Sequence, residues 1–118
     1  MRHQNKKLFL GRQLGHRKML MRNMATSLFL YDKIDTTLAK AKVLRSYAER
    51  LITSAKVDTL ASRRAALAKL TDKKAVSKLF EVIGPKYKNR AGGYTRIRRI
   101  SARRVGDAGE HAIISLID

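Results

Sequence analysis

Residues 36–55, TTLAKAKVLRSYAERLITSA, hold the pattern that decides the fold. Apolar side chains recur there at helical spacing: Ala41, Leu44, Ala48, Leu51, Ile52 and Ala55. Thr36 and Thr37 precede the stripe as good N-cap residues, and Lys40, Arg45 and Arg50 lie away from most of it. The segment therefore predicts a long, capped helix with one face in the core.

A second helical pattern precedes this one. Between residues 16 and 31 the following side chains fall on one helical face: Leu20, Met24, Ser27, Leu28 and Tyr31. Residues 1–15 show no such period, and Gly11 and Gly15 interrupt any helix there. We therefore predict a basic N-terminal extension over residues 1–15 and a single domain over residues 16–118. A short extended segment over residues 33–35 joins the two helices.

Two more helices are predicted after the long one. Asp58 or Thr59 can cap an alanine-rich helix over residues 60–70, and Asp72 can cap a fourth. The fourth helix turns these apolar residues inward: Val76, Leu79, Phe80 and Ile83. Gly84 and Pro85 are expected to end it, as a C′ glycine followed by proline.

The chain beyond Pro85 is typical of β-structure. Residues 94–105 are rich in β-branched, aromatic and arginine side chains, and residues 111–117 read HAIISLI. The turn-forming run between them predicts a β-hairpin. Ile97 and Ile100 would face opposite sides of the first strand unless a bulge lies near Arg98-Arg99. The predicted class is α+β, with about four helices packed against a small antiparallel sheet built on this C-terminal hairpin.

Net charge is the most unusual feature of the composition. The 118 residues hold 27 Lys and Arg against 9 Asp and Glu, which gives +18 at neutral pH. A domain this basic repels itself when alone, and such charge is typical of proteins with a polyanionic partner. Nucleic acid is the first candidate partner, and an anionic membrane surface is the second.

The positive charge concentrates in two segments without acidic residues. Residues 1–22 hold Arg2, Lys6, Lys7, Arg12, Arg17, Lys18 and Arg22. Residues 86–104 hold Lys86, Lys88, Arg90, Arg96, Arg98, Arg99, Arg103 and Arg104. Basic segments at the ends of a more ordinary domain favour nucleic acid. No apolar run approaches the roughly 20 residues of a spanning helix and no signal peptide is recognisable, so we expect a soluble, intracellular protein.

Catalysis and metal binding are not indicated by the sequence. The lack of cysteine excludes a disulfide framework and a Cys-based zinc site. The histidines, His3, His16 and His111, match no metal-binding spacing. Neither a Ser-His-acid arrangement nor a glycine-rich phosphate loop is suggested. We therefore predict no enzymatic activity, no metal or cofactor, and no small-molecule substrate.

The stretch RAGGYTRIRRI at residues 90–100 admits two interpretations. In one, Gly92-Gly93 turn the chain into a strand, Tyr94 packs on the core and the arginines face water. In the other, the glycines let the backbone approach a sugar–phosphate chain, Tyr94 stacks on an unpaired base and the arginines bind phosphates. We favour the second, because the segment lacks acids and also contains the basic–aromatic–basic run KYK at residues 86–88.

Several specific strings occur in order along the chain. They are Met1–His3, His16–Leu28, Thr36–Lys42, Arg63–Arg64, Lys78–Phe80, Arg90–Ile97 and Arg104–Asp107. Together they resemble the family of the seventeenth protein of the bacterial large ribosomal subunit, over nearly the whole chain. The resemblance implies a compact domain with basic extensions, embedded in large-subunit ribosomal RNA near the exit side of the nascent-chain tunnel. It implies no catalysis, no cofactor, neighbouring large-subunit proteins as partners, and cytoplasmic ribosomes as the location.

Charge, aromatic pattern and the resemblance together select the candidate RNA-binding residues. These are Arg2, His3, Lys6, Lys7, Arg12, His16, Arg17, Arg22, Asn23, Lys40, Arg63, Arg64, Lys86, Lys88, Arg90, Gly92, Gly93, Tyr94, Arg96, Arg98 and Arg99. The alternative is an architectural DNA-binding protein that uses the same basic surfaces, although we find no convincing recognition helix or β-arm pattern.

Overall fold

The computed structural model describes residues 14–103 and 110–118, with side chains described over residues 15–100 and 110–118. The helices are α1 Leu14–Tyr31, α2 Leu38–Ala55, α3 Leu60–Lys69, α4 Lys73–Lys78 and α5 Gly84–Lys86, and a π-helical segment, Leu79–Ile83, joins the last two. The strands are β1 Lys33–Thr37, β2 Thr95–Arg103 and β3 Glu110–Leu116. The α+β prediction is confirmed. In the described part of the chain, no helix is long and apolar enough to cross a membrane.

Helix α2 is the centre of the domain. Its N-cap is Thr37, whose hydroxyl accepts a 3.3 Å hydrogen bond from the backbone N–H of Lys40. Every residue of the predicted stripe is buried: Ala41, Leu44, Ala48, Leu51, Ile52 and Ala55. This face packs against α1, the sheet and the π-helical segment, which confirms the prediction for this helix.

Helix α1 buries a face rotated from the predicted one. Its buried apolar residues are Met21, Met24, Ala25, Leu28 and Phe29. The buried arc is turned towards Met21 and Phe29, which leaves Tyr31, at the end of the predicted face, 70% exposed. The helix begins at Leu14, so Gly15 is helical and does not interrupt it.

Helices α3 and α4 begin where the sequence predicts. Thr59 caps α3 by accepting from the Ser62 N–H at 3.0 Å. Asp72 caps α4 by accepting from the Lys74 N–H at 2.9 Å. Short polar side chains thus satisfy backbone donors at both helix starts.

Gly84 does not end the fourth helix. Its φ of −55° and ψ of −54° are helical, and the chain continues as helix through Lys86. A Cβ at residue 84 would lie 2.6 Å from the backbone oxygen of Ala55. Glycine is therefore required for close approach to the end of α2, and the predicted left-handed helix cap is wrong.

The sheet has antiparallel strands in the order β1-β3-β2. The predicted hairpin strands, β2 and β3, pair with each other, and β1 pairs with the other edge of β3. Thr95, Ile97 and Ile114 face the helices, and Ile114 is fully buried. Arg96 and Arg98 alternate with them and lie on the outer face.

The predicted bulge in β2 lies further along the strand. Pairing is regular from Thr95 to Ile100, and the register shifts between Ile100 and Arg103 instead of at Arg98-Arg99. Ile97 therefore stays on the inner face, and Ile100 lies on the outer face opposite His111. The arginines of β2 keep a simple alternation between the two faces.

Candidate nucleic-acid interface

The aromatic residues of the predicted docking segment are buried. Tyr94 is 1% exposed and Tyr87 is 3% exposed, and their ring centroids lie 5.3 Å apart. The Tyr94 hydroxyl donates to the Arg90 carbonyl at 3.3 Å and lies 3.1 Å from the Thr53 hydroxyl. A buried ring cannot stack on a base, so the predicted stacking role of Tyr94 is wrong. Tyr94 instead attaches the segment to α2 and the core.

Gly92 and Gly93 form an open turn before β2. Gly93 has a φ of 64°, in the left-handed region that favours glycine, and Gly92 does not. A Cβ on either residue would meet no heavy atom within 4 Å. Arg90 Nε donates to the carbonyls of Gly92 and Gly93 at 3.1 and 3.2 Å. The turn is thus held in shape by its own arginine, while the backbone at Gly92 stays accessible.

Lys56, just beyond α2, supports the same turn. Its Nζ donates to the Arg90 carbonyl and lies 4.9 Å from the Tyr94 ring centroid. Burial raises the pKa of Tyr94, but hydrogen bonds with Lys56 and Thr53 and the positive charge of Lys56 outweigh it, so the pKa lies below its usual value. Positive potential therefore reaches the base of the turn.

An open groove runs between α2 and this turn. It is lined by Ser46, Glu49, Arg50, Thr53 and Ser54 of α2 and by Gly92 and Tyr94. We call it the α2 groove. The α2 residues are spaced along a helix side away from the buried stripe, and all but Glu49 are exposed. Hydroxyls, a guanidinium and an open backbone therefore face one another across this groove.

Glu49 is engaged with the start of β2. Its Oε2 accepts from the backbone N–H of Thr95 at 3.2 Å and from the Thr95 hydroxyl at 3.0 Å. Arg45 Nε lies 4.0 Å from the same oxygen. The carboxylate therefore fixes β2 against α2, and its charge is partly compensated.

The arginines of β2 divide between the two faces of the strand. Arg96 and Arg98 are exposed on the outer face and border a shallow depression that Ser115 and Asp118 also line. Arg99 lies on the other face, with Nε 3.9 Å from a carboxylate oxygen of Glu110. Arg96 and Arg98 can thus contact one ligand together, whereas Arg99 has a carboxylate partner.

Exposed cations continue from α2 through the turn onto β2. They are Arg50, Lys88, Arg90, Arg96 and Arg98, and we call this set the basic corner. Arg50 and Gly92 line the same groove, Arg90 binds the Gly92 carbonyl, and β2 follows directly. The fold thus adds a cation of α2 to the basic segment that the sequence predicted.

Arg63 and Arg64 are the predicted RNA-binding pair on α3, and Arg63 makes contacts within the fold. Its Nε and Nη2 donate to the two carboxylate oxygens of Asp58 at 2.7 and 2.9 Å, and its guanidinium lies 5.1 Å from the Phe80 ring centroid. The hydrogen bond from Arg63 is the main cause that lowers the pKa of Asp58. Arg64 is exposed.

The other predicted site residues are dispersed. His16 and Asn23 are exposed on α1, and Arg17 and Arg22 are partly buried there. Arg22 Nη2 reaches the Leu70 carbonyl at 3.5 Å. Lys40 is partly buried at the start of α2, and Lys86 Nζ lies 5.3 Å from the Tyr87 ring centroid. The predicted residues Arg2, His3, Lys6, Lys7 and Arg12 lie outside the described residues.

The α2 groove is lined mainly by hydroxyl groups, a carboxylate and a guanidinium. Over residues 14–103 and 110–118, no group of three or more His, Asp or Glu side chains is placed to hold a metal ion. On the sheet, His111 Nδ1 lies 3.1 Å from Asp35 Oδ1, and among the described residues these two side chains belong to no group of three possible ligands. Arginines, hydroxyls and open backbone recognise phosphate and sugar groups.

Sequence reasoning missed the contribution of α2. Ser46, Glu49 and Ser54 carry no motif, and Arg50 was recognised only as lying off the stripe. Their polar spacing along α2 was the available signal. The missing information was that Gly92, some forty positions later, lies across from them.

Comparison with known proteins identifies the family. Residues 20–117 match the family described as Ribosomal protein L17. The chain is 52% identical to the large ribosomal subunit protein bL17 of Halothermothrix orenii over 109 residues, which cover 92% of this chain and 95% of that protein. It is 48% identical to the bL17 protein of a Hydrogenobaculum species over 118 residues, all of both chains. Proteins of this family are structural and not enzymes, as predicted; the chain belongs to the ribosomal protein L17 family.

Proposed function

We propose that this chain is a structural constituent of the large ribosomal subunit that binds ribosomal RNA through the basic corner. The supporting observation is the basic corner itself, which contains exposed cations of α2, of the segment before β2 and of β2, and in which Arg50 lines the open α2 groove. Guanidinium groups donate paired hydrogen bonds to phosphate oxygens, and RNA supplies those oxygens at regular spacing. Family membership supports the ribosomal assignment.

The proposed mechanism is docking of a rigid surface without a chemical step. Lys56, Tyr94 and Glu49 hold the turn and the start of β2 in place before any ligand arrives. Binding then costs less ordering entropy, because the backbone that carries the turn and the β2 arginines is already positioned. Each phosphate contact releases condensed counterions, which makes the affinity fall with salt.

Other residues extend the proposed RNA-binding surface. They are the exposed His16, Asn23, Arg64 and Lys86, the partly exposed Gly93, and five residues that the sequence predicts and that lie outside the described residues, Arg2, His3, Lys6, Lys7 and Arg12. The resemblance to the family further supports a position near the exit side of the nascent-chain tunnel in cytoplasmic ribosomes, beside other large-subunit proteins. Arg63 and Tyr94 are not part of the proposed surface, because one is paired with Asp58 and the other is buried.

The test is to follow an affinity-tagged chain through a sucrose gradient of cell lysate. We expect it to sediment with large subunits and to be released from them by ribonuclease. A chain that sediments with the nucleoid and is released by deoxyribonuclease instead would support the architectural DNA-binding alternative and contradict the proposal.

A further inference from the structure

We propose that the α2 groove binds one strand of RNA sugar–phosphate backbone. Arg50 contacts a phosphate there, and Gly92, which has no side chain, lets the RNA come close to the protein backbone. This inference rests on the proposed function, and it names the place and chemical class of one contact. It differs from the contacts expected at the β2 arginines, because the groove is formed mainly by α2, a helix outside both acid-free segments.

Three side chains of α2 offer hydrogen-bond donors to a phosphate in the groove. Arg50 is exposed at the groove, and in the described part of the chain no ion pair joins it to a carboxylate. Ser46 and Ser54 lie four residues before and after it on the same helix and bring hydroxyls to the groove. Thr53 is engaged with Tyr94, which leaves the two serines and Arg50 as the donors. This donor set fits a phosphodiester.

Glu49 offers an acceptor to the sugar of the bound strand. The contacts of Glu49 in the described structure all use Oε2, which accepts from Thr95 and lies near Arg45. Its other oxygen belongs to a carboxylate that lines the groove, where it can accept a hydrogen bond from a ribose 2′-hydroxyl. Deoxyribose lacks that donor, so the groove favours RNA over DNA.

Gly92 forms the wall of the groove opposite α2. Its φ is not in the left-handed region, and a Cβ there would meet no heavy atom within 4 Å in the free protein. A larger side chain at this position is therefore compatible with the fold and fills the groove instead. This separates a role in ligand approach from a role in folding.

The experiment measures binding of full-length large-subunit ribosomal RNA by filter retention, with thermal unfolding of each variant. We expect Arg50→Gln to weaken binding about tenfold. The negative slope of log K against log salt should become shallower by roughly 0.7 to 0.9. Gly92→Val should weaken binding about tenfold with an unchanged melting temperature. The matched controls are Lys73→Gln, an exposed cation of α4, and Ala91→Val, an exposed neighbour that does not line the groove. Both controls should bind like wild type.

A second arm compares a single-stranded RNA oligonucleotide with DNA of the same sequence. Wild type should prefer the RNA about fivefold. Glu49→Gln should reduce that preference, because Thr95 uses the one oxygen of the glutamine and its NH2 group cannot accept from the 2′-hydroxyl, and Gly92→Val should abolish the preference. If Arg50→Gln and Gly92→Val both bind normally while wild type retains ribosomal RNA, the proposal that the groove binds RNA is wrong. The proposed function would still stand. Failure of wild type to retain ribosomal RNA would overturn both.

Discussion

At the scale of single residues, Gly84 is the one described glycine at which an added Cβ would clash with the fold. It lies against the carbonyl of Ala55, where a Cβ would come within 2.6 Å of the oxygen. We expect Gly84→Ala to lower the free energy of unfolding by about 1–3 kcal/mol, because the backbone of α2 or α5 must move. Gly15→Ala is the control, since a Cβ at that helical position meets nothing within 4 Å. Chemical denaturation measures both, and equal stability of the two variants would contradict the packing argument.

Tyr94 is the residue for which the structure differs most from the sequence prediction, because its ring is buried. The substitution Tyr94→Phe keeps the ring and removes the hydroxyl that contacts Thr53 and the Arg90 carbonyl. We expect a loss of about 0.5–1.5 kcal/mol in unfolding free energy. The RNA affinity should be unchanged when it is measured well below the melting temperature. Tyr31→Phe, on a ring that is 70% exposed, should be neutral. A Tyr94→Phe variant as stable as wild type would show that the hydroxyl does not anchor the turn.

At the scale of elements, strand β2 separates its arginines by function. Arg96 and Arg98 share the outer face, whereas Arg99 lies on the other face near Glu110. We expect the double substitution of Arg96 and Arg98 by Gln to make the negative slope of log K against log salt shallower by roughly 1.4 to 1.8, at 0.7–0.9 per contact. Arg99→Gln should change the slope little. Salt titrations of RNA binding measure both, and a larger effect from Arg99→Gln would reverse the assignment of faces.

The elements also show what local sequence can and cannot predict. The α2 stripe, the caps at Thr37, Thr59 and Asp72, and the hairpin strands follow from short-range patterns. Contacts between distant residues do not, which is why the place of β1 beside β3 was missed. Gly84 was misread for the same reason, because the carbonyl that requires it belongs to α2. Tyr94 was misread because an aromatic ring between basic residues looks the same whether it is buried or stacked on a base.

At the scale of the whole molecule, net charge has opposite effects on folding and binding. A charge of +18 on 118 residues makes the free domain repel itself. Raising the salt from roughly 0.05 to 0.5 M shortens the screening length, so we expect the melting temperature of the free protein to rise. RNA affinity should fall over the same range. Calorimetry of the free protein measures the first effect, and a melting temperature that drops with added sodium chloride would contradict it.

The proposed RNA-binding surface is one particular part of the molecule, the basic corner and the α2 groove. The most direct test is a map of RNA–protein crosslinks formed by ultraviolet light on intact large subunits that carry this chain. We predict RNA-linked peptides from residues 46–54 and 86–98, because both border the groove or carry the exposed cations. Crosslinks confined to other parts of the chain, with none from either segment, would contradict the central claim.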